Sequence, residues 1–278
     1  MPPLAIAAAL ASACIHASWN ALLKSGRDRL ADSFFVALGS LICALLLIAF
    51  AGPPNAAAWP YLVASAAAHA LYWAALIRGY ELGDLSHVYT ISRGAAPSLV
   101  AIGAAFAARE IPSFGDALGI LLVSIGVMCV GVSPNAPLKA TLWALLTACI
   151  IATYSLIDGL GARATGDVAL YFGWMTLFMA IPLGGFALFR RGLAPLLRDA
   201  KSGAWRGLIA GIFSTTGYGL VVWAQSIAPI GQTIALRETS VVFAALISWL
   251  FLKEAMGPRR WLGAAIVAAG ALTIGFSS

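Results

Sequence analysis

Two arginines 144 positions apart, Arg93 and Arg237, lie inside otherwise apolar runs of the chain. A guanidinium stays charged in any surroundings and grips carboxylate or phosphonate oxygens through paired N–H donors. In hydrocarbon an isolated one is not sustainable, so each must meet an internal anion or an anionic ligand. Arg93 stands about nine residues into its run, roughly 13 Å along a helix, which approaches the middle of a bilayer. Tyr89 shares the face of Arg93 four residues earlier, and Thr233 shares that of Arg237. The chemistry suggested is a paired cationic site for an anionic or zwitterionic small molecule. The competing reading holds each arginine by Glu238, Asp158 or backbone carbonyls.

Glu238 and Asp158 are the acidic residues best placed to lie within membrane spans. Either could carry a coupled proton, because desolvation favours a neutral carboxyl, or act as a fixed counter-ion of Arg237. Adjacent residues on a helix point about 100° apart, so Glu238 need not pair with Arg237. His16, Asn20 and Lys24 recur at helical spacing as one polar stripe. His16 and Asn20 lie deeper and are cavity candidates, whereas Lys24 suits a cation snorkelling at the span's end. His69, Tyr72, Trp73 and Tyr80 form an aromatic stripe that serves packing as readily as recognition. Tyr72 and Trp73 fall mid-span, outside the interfacial belts. Tyr154, which matches Trp19 in the repeat described below, completes the set. Cys14, Cys43, Cys129 and Cys149 sit singly in apolar runs without C-x-x-C spacing or a nearby His, so neither a metal nor a cofactor is expected.

The elements that position these residues must be membrane helices. Of 278 residues, 61% are hydrophobic and 10% charged, where a soluble domain carries about 25% charged residues. Apolar runs fall at 4–23, 33–51, 59–80, 85–107, 114–132, 138–158, 168–189, 205–226, 231–252 and 260–276. Each can cross the roughly 30 Å hydrocarbon core as a helix, and strands of a barrel would be about half as long. The first run has no preceding Lys or Arg and continues through His16 and Asn20, so it is expected to be a retained helix and not a signal peptide.

Lys24, Arg27, Arg29, Arg78, Lys139, Arg190, Arg191, Arg198, Lys201, Arg206, Lys253, Arg259 and Arg260 gather on one side of this map, against Arg109 and Arg163 on the other. That asymmetry predicts the first side to be cytoplasmic and both termini to lie on the other face of the plasma (inner) membrane. It also accounts for the net charge of +6, so nucleic acid is not expected as a partner.

The chain repeats itself. At an offset of 144, Arg93 meets Arg237, Glu110 meets Glu254, Gly119 meets Gly263, Gly126 meets Gly270 and Gly131 meets Gly275, with Arg109 opposite Lys253. At an offset of 135, Ala13-Cys14-Ile15 meets Ala148-Cys149-Ile150. The expected fold is all-α and integral to the membrane: ten transmembrane helices as two five-helix repeats, 1–135 and 136–278. Five is odd, so the second copy enters from the opposite face and the repeats are inverted, a plan used by secondary transporters with a midplane site between the halves. The paired glycines are expected to pack the halves together.

Arg109-Glu110-x8-Gly119-x6-Gly126, echoed by Lys253-Glu254-x8-Gly263-x6-Gly270, resembles the EamA branch of the drug/metabolite transporter superfamily over essentially the whole chain. The resemblance implies a secondary transporter, often an exporter, with a cavity lined by the first, third, fourth, sixth, eighth and ninth spans. Its expected partners are a small-molecule substrate, membrane lipid and a coupled proton or counter-substrate, in a monomer or weak homo-oligomer. His16-Ala-Ser-Trp-Asn20 and Gly83-Asp-Leu-Ser-x-Val-Tyr89 with Arg93-Gly94 faintly resemble a subgroup associated with phosphonate utilisation. The alternatives are an exporter of drugs or lipophilic compounds, an intramembrane enzyme and a channel. No G-x-S-x-G elbow or H-E-x-x-H pair supports an enzyme. Two matched arginines suit an occluded site better than a continuous charged pore.

Overall fold

The structure is a computed structural model that describes residues 1–24, 28–199, 204–251, 253 and 257–277. Glu254, Arg27 and Lys201, used above for the repeat and the charge asymmetry, lie outside the described residues. Among the described residues every regular element is a helix: α1 (Pro3–Lys24), α2 (Arg29–Ala51), α3 (Ala58–Leu82), α4 (Leu85–Ala107), α5 (Phe114–Gly131), α6 (Leu138–Thr165), α7 (Val168–Arg191), α8 (Leu193–Asp199), α9 (Ala204–Ile227), α10 (Ile230–Arg237), α11 (Ser240–Leu250) and α12 (Pro258–Ser277).

Nine helices among the described residues are long and apolar enough to cross a bilayer, counting Ile230–Leu250 as one. The tenth expected span, α4, is long enough at 23 residues, but Ser86, His87, Thr90, Ser92 and Arg93 make its first half too polar to stand with the others. The span expected at 231–252 is not one continuous helix. Its i→i+4 ladder gives way to tighter bonds from Glu238 N to Ala235 O and from Thr239 N to Leu236 O. The Thr239 hydroxyl donates to the Leu236 carbonyl at 2.7 Å, a side-chain competitor for the helical ladder.

The two halves use the same local devices. Asp28 accepts from the first-turn amides of α2, and Asp167 does the same for α7. Arg109 and Lys253, matched in the repeat, are the two non-glycine residues with positive φ among the described residues, at 57° and 52°. This conformation costs an L-residue roughly 1–2 kcal/mol, so its recurrence at matched positions reflects one turn built twice.

The halves meet along α5 and α12. A Cβ on Gly126 would stand 2.9 Å from the Gly263 carbonyl oxygen, and one on Gly263 would stand 2.7 Å from the Gly126 oxygen. Gly119 and Gly270 face each other in the same way, at 2.8 and 2.7 Å. Ascending positions on one helix thus meet descending positions on the other, so the pair is antiparallel and related by a local two-fold. In lipid, where apolar surface gains nothing by leaving its solvent, such close backbone approach is what holds helices together. The remaining packing echoes this symmetry, with α3 against α6 mirrored by α9 against α1, and α2 lying against its own counterpart α7.

Candidate functional site

The break between α10 and α11 delivers Glu238 to Arg93. Arg93 Nη2 donates to Glu238 Oε1 at 2.5 Å, and the two side chains are 8% and 2% exposed. Glu238 is not the counter-ion of its neighbour Arg237. It pairs instead with the arginine of the other half, because successive side chains diverge around a helix and the break turns Glu238 towards α4. A buried pair of this kind stabilises little net, but removing one member leaves a costly buried charge.

Arg237 ends α10, with 8% of its surface exposed. Among the described residues no carboxylate lies within ion-pair distance of it, and its Nε has no hydrogen-bond partner. Its guanidinium carbon stands 5.2 Å from the centre of the Tyr218 ring, a cation–π contact. The Nε of Arg93 is likewise unpartnered. Unpaired donors at this depth are uncommon and point to a missing acceptor.

Asp158, fully buried in α6, is held by two phenols. Tyr218 donates to Oδ2 at 2.5 Å and Tyr171 to Oδ1 at 3.0 Å. The expected end of the sixth span at residue 158 was too early: α6 runs to Thr165, which places Asp158 two turns inside it. Tyr218 therefore touches both sides of the site, its ring under Arg237 and its hydroxyl on Asp158.

Aromatic rings form the walls. His69 and Tyr154 stack at 4.2 Å with planes 27° apart, Tyr218 meets His69 edge-on at 6.3 Å, and Tyr72 meets Tyr154 edge-on at 5.7 Å. His69 Nδ1 is tied to the Ser65 carbonyl at 2.9 Å. Tyr154 lies within electrostatic reach of both arginines and both acids, and Tyr72 and Tyr89 within reach of Arg93. His16 of α1 lies within electrostatic reach of Arg237 and Arg93. The structure thus brings together His16, His69, Tyr72, Tyr89, Arg93, Tyr154, Asp158, Arg237 and Glu238.

Three expected residues stand apart. Asn20 is exposed and donates to the His16 carbonyl of its own helix at 2.7 Å. Thr233 is fully buried and bonded to the Pro229 carbonyl, so its hydroxyl is occupied. Trp73 is 48% exposed and reaches the cluster only through an edge contact with Tyr72. Sequence reasoning missed Tyr171 and Tyr218, whose phenols within the apolar runs 168–189 and 205–226 were the available signal.

The model of the EamA-like transporter family matches residues 3–132 and 138–276. A riboflavin transporter of Rhizobium johnstonii is 33% identical over 112 residues, covering 36% of this chain and 37% of that protein. The match thus spans little more than a third of that curated relative's length. A solved crystal structure superposes with a TM-score of 0.75 over 99% of this chain and 96% of its own, at 15% identity, which speaks for the fold alone.

Proposed function

The chain belongs to the EamA-like transporter family, and from that premise we propose that it carries a small organic anion or zwitterion across the membrane by alternating access. The membrane protein and its transporter class rest on the family and on the nine apolar helices; both point away from an enzyme. Ten spans in two inverted halves, with α4 as the tenth, are part of the proposal, and the antiparallel α5–α12 seam supports them. So are export from the cytoplasm, residence in the inner membrane and termini on its outer side.

Arg237 is the observation that carries the reading. Arg93 is neutralised by Glu238, and Asp158 is engaged by Tyr171 and Tyr218, so Arg237 is the cation left to meet a ligand. A guanidinium with free donors beside aromatic walls suits a carboxylate or phosphonate attached to a flat ring. The riboflavin transporter among the relatives is in keeping with a ring-bearing cargo.

Asp158 is the coupling carboxylate in this scheme, since Glu238 is held by Arg93. Neutralising Asp158 by a proton leaves one net positive charge in the site, which one anion balances. His16, Tyr72, Tyr89 and Tyr154 line the path of the cargo. A thermal-shift screen of amino acids, phosphonates, aromatic carboxylates and flavins on purified protein tests this, since a ligand of the folded state raises the Tm. Stabilisation by an anion that is lost in Arg237→Ala supports the site; stabilisation surviving that change assigns the binding elsewhere.

A further inference from the structure

Glu110 belongs to the duplicated Arg/Lys-Glu motif, yet the site above does not use it. Its carboxylate joins three elements at one end of the molecule. Oε1 pairs with Arg163 Nη1, at the end of α6, at 2.6 Å, and Oε2 accepts from the Ile230 amide, the first residue of α10, at 2.7 Å. Arg163 completes the knot by donating from Nε to the Gln225 carbonyl and from Nη2 to the Ala228 carbonyl, both at 2.7 Å. The two side chains are 28% and 18% exposed, so the pair is partly shielded from water and screened less than a surface one.

The position of this knot matters because of what α10 is. It has eight residues, all buried, with Glu110 bonded at its first amide and the cation of the site at its last residue. Seven helical steps span about 10 Å, so the short helix is a rod with the knot at one end and Arg237 at the other. Around the same end, small residues seal the bundle: Ala5 and Ala8 of α1 pack against Ala224 and Ala228. The opposite end of α1 is different, since no residue after Ala17 is buried. An ionic knot thus holds the N-terminus of a short buried helix at the tightly packed end of the bundle.

We propose that Glu110 and Arg163 form the latch of a gate on the non-cytoplasmic face, holding the N-terminus of α10 in place. This rests on the transport reading for its purpose, but its test needs no substrate. Thr233, fully buried on α10 between latch and site, supplies a reporter position. With the four native cysteines replaced by serine, Thr233→Cys is labelled in whole cells by a membrane-impermeant maleimide from outside. Glu110→Gln and, separately, Arg163→Gln are expected to raise the labelling rate up to about fivefold, the scale of one lost ion pair. A bis-methanethiosulfonate crosslinker, which forms one disulfide with each of Glu110→Cys and Arg163→Cys and releases methanesulfinate, is expected to stop labelling at position 233, read on its own peptide, and reductive cleavage followed by removal of the reductant to restore it. Unchanged labelling in both glutamine variants, with protein eluting as folded monodisperse material, overturns the latch. So does a crosslinked protein labelled as fast as the uncrosslinked one. Labelling that responds as expected in a protein that moves no small molecule leaves the latch standing and removes the transport reading instead.

Discussion

α10 and α11 share one apolar run, yet they live in different surroundings. All eight residues of α10 are buried, whereas among the eleven of α11 only Ser240 and Ala245 are. α1 repeats the contrast along its own length, buried at Ala5, Ala8, Ala9, Ser12, Ala13 and Ala17 and nowhere beyond. The boundary in both cases falls at the level of Arg237, Glu238 and His16. The bundle is thus packed more tightly around α10 and the first part of α1 than beyond them, and in the proposed function the tight side is the closed one. That asymmetry is what a carrier with one central site needs, because two mirrored halves can exchange their roles.

The contrast can be broken by changing residues on either side of that boundary. The largest stability effect is expected from Arg93→Ala, which leaves Glu238 charged and buried without a partner at a cost of about 3–5 kcal/mol. Thermal denaturation in detergent measures it, and Arg93→Ala/Glu238→Ala should recover much of the loss. Next comes Gly126→Leu, which drives a side chain into the Gly263 backbone and should cost about 1–3 kcal/mol or more. Gly185→Ala is its control: a Cβ there meets nothing within 4 Å, and the protein should keep or slightly raise its Tm. Ser12→Ala, on the packed side, removes the 2.6 Å bond to the Gly217 carbonyl and should cost about 1 kcal/mol. Asn20→Ala, on the loose side, should change stability by no more than about 0.5 kcal/mol. Equal effects of those two substitutions would erase the asymmetry.

The smallest effect concerns pH at the end of the bundle. The Arg191 guanidinium beside Asp28, together with the α2 amides it caps, holds the Asp28 carboxyl below its ordinary value of 3.8. A carboxyl depressed by folding stabilises the protein fully above that value and loses the contribution as pH falls through the lower, folded one. Melting curves between pH 6 and pH 3 should therefore show a small acid-side loss that Asp28→Asn lacks.

The helices and the duplication were legible in the sequence because lipid imposes long apolar runs and because glycine spacing survives between copies. Gly119, Gly126, Gly263 and Gly270 were expected to join the halves, and they do. The break at Glu238 was not legible. No proline or glycine marks it, and it depends on a hydroxyl bond from Thr239 and on Arg93 in the other half. Arg93 and Arg237 were singled out as equals, but long-range partners made them unequal: one is neutralised, the other is not. Glu110 was visible as a repeated letter, whereas its bonds to Arg163 and Ile230 span the two halves and leave no local pattern.

Arg237 is the cation on which the proposed transport depends, and one measurement addresses it directly. Wild-type protein and Arg237→Ala are reconstituted in liposomes, and uptake of an anion that stabilised the wild type is followed over time. Saturable uptake by the wild type, with the variant folded but reduced to the level of empty liposomes, is the predicted result. Equal uptake by both proteins would contradict the assignment of Arg237 as the cation that holds the cargo.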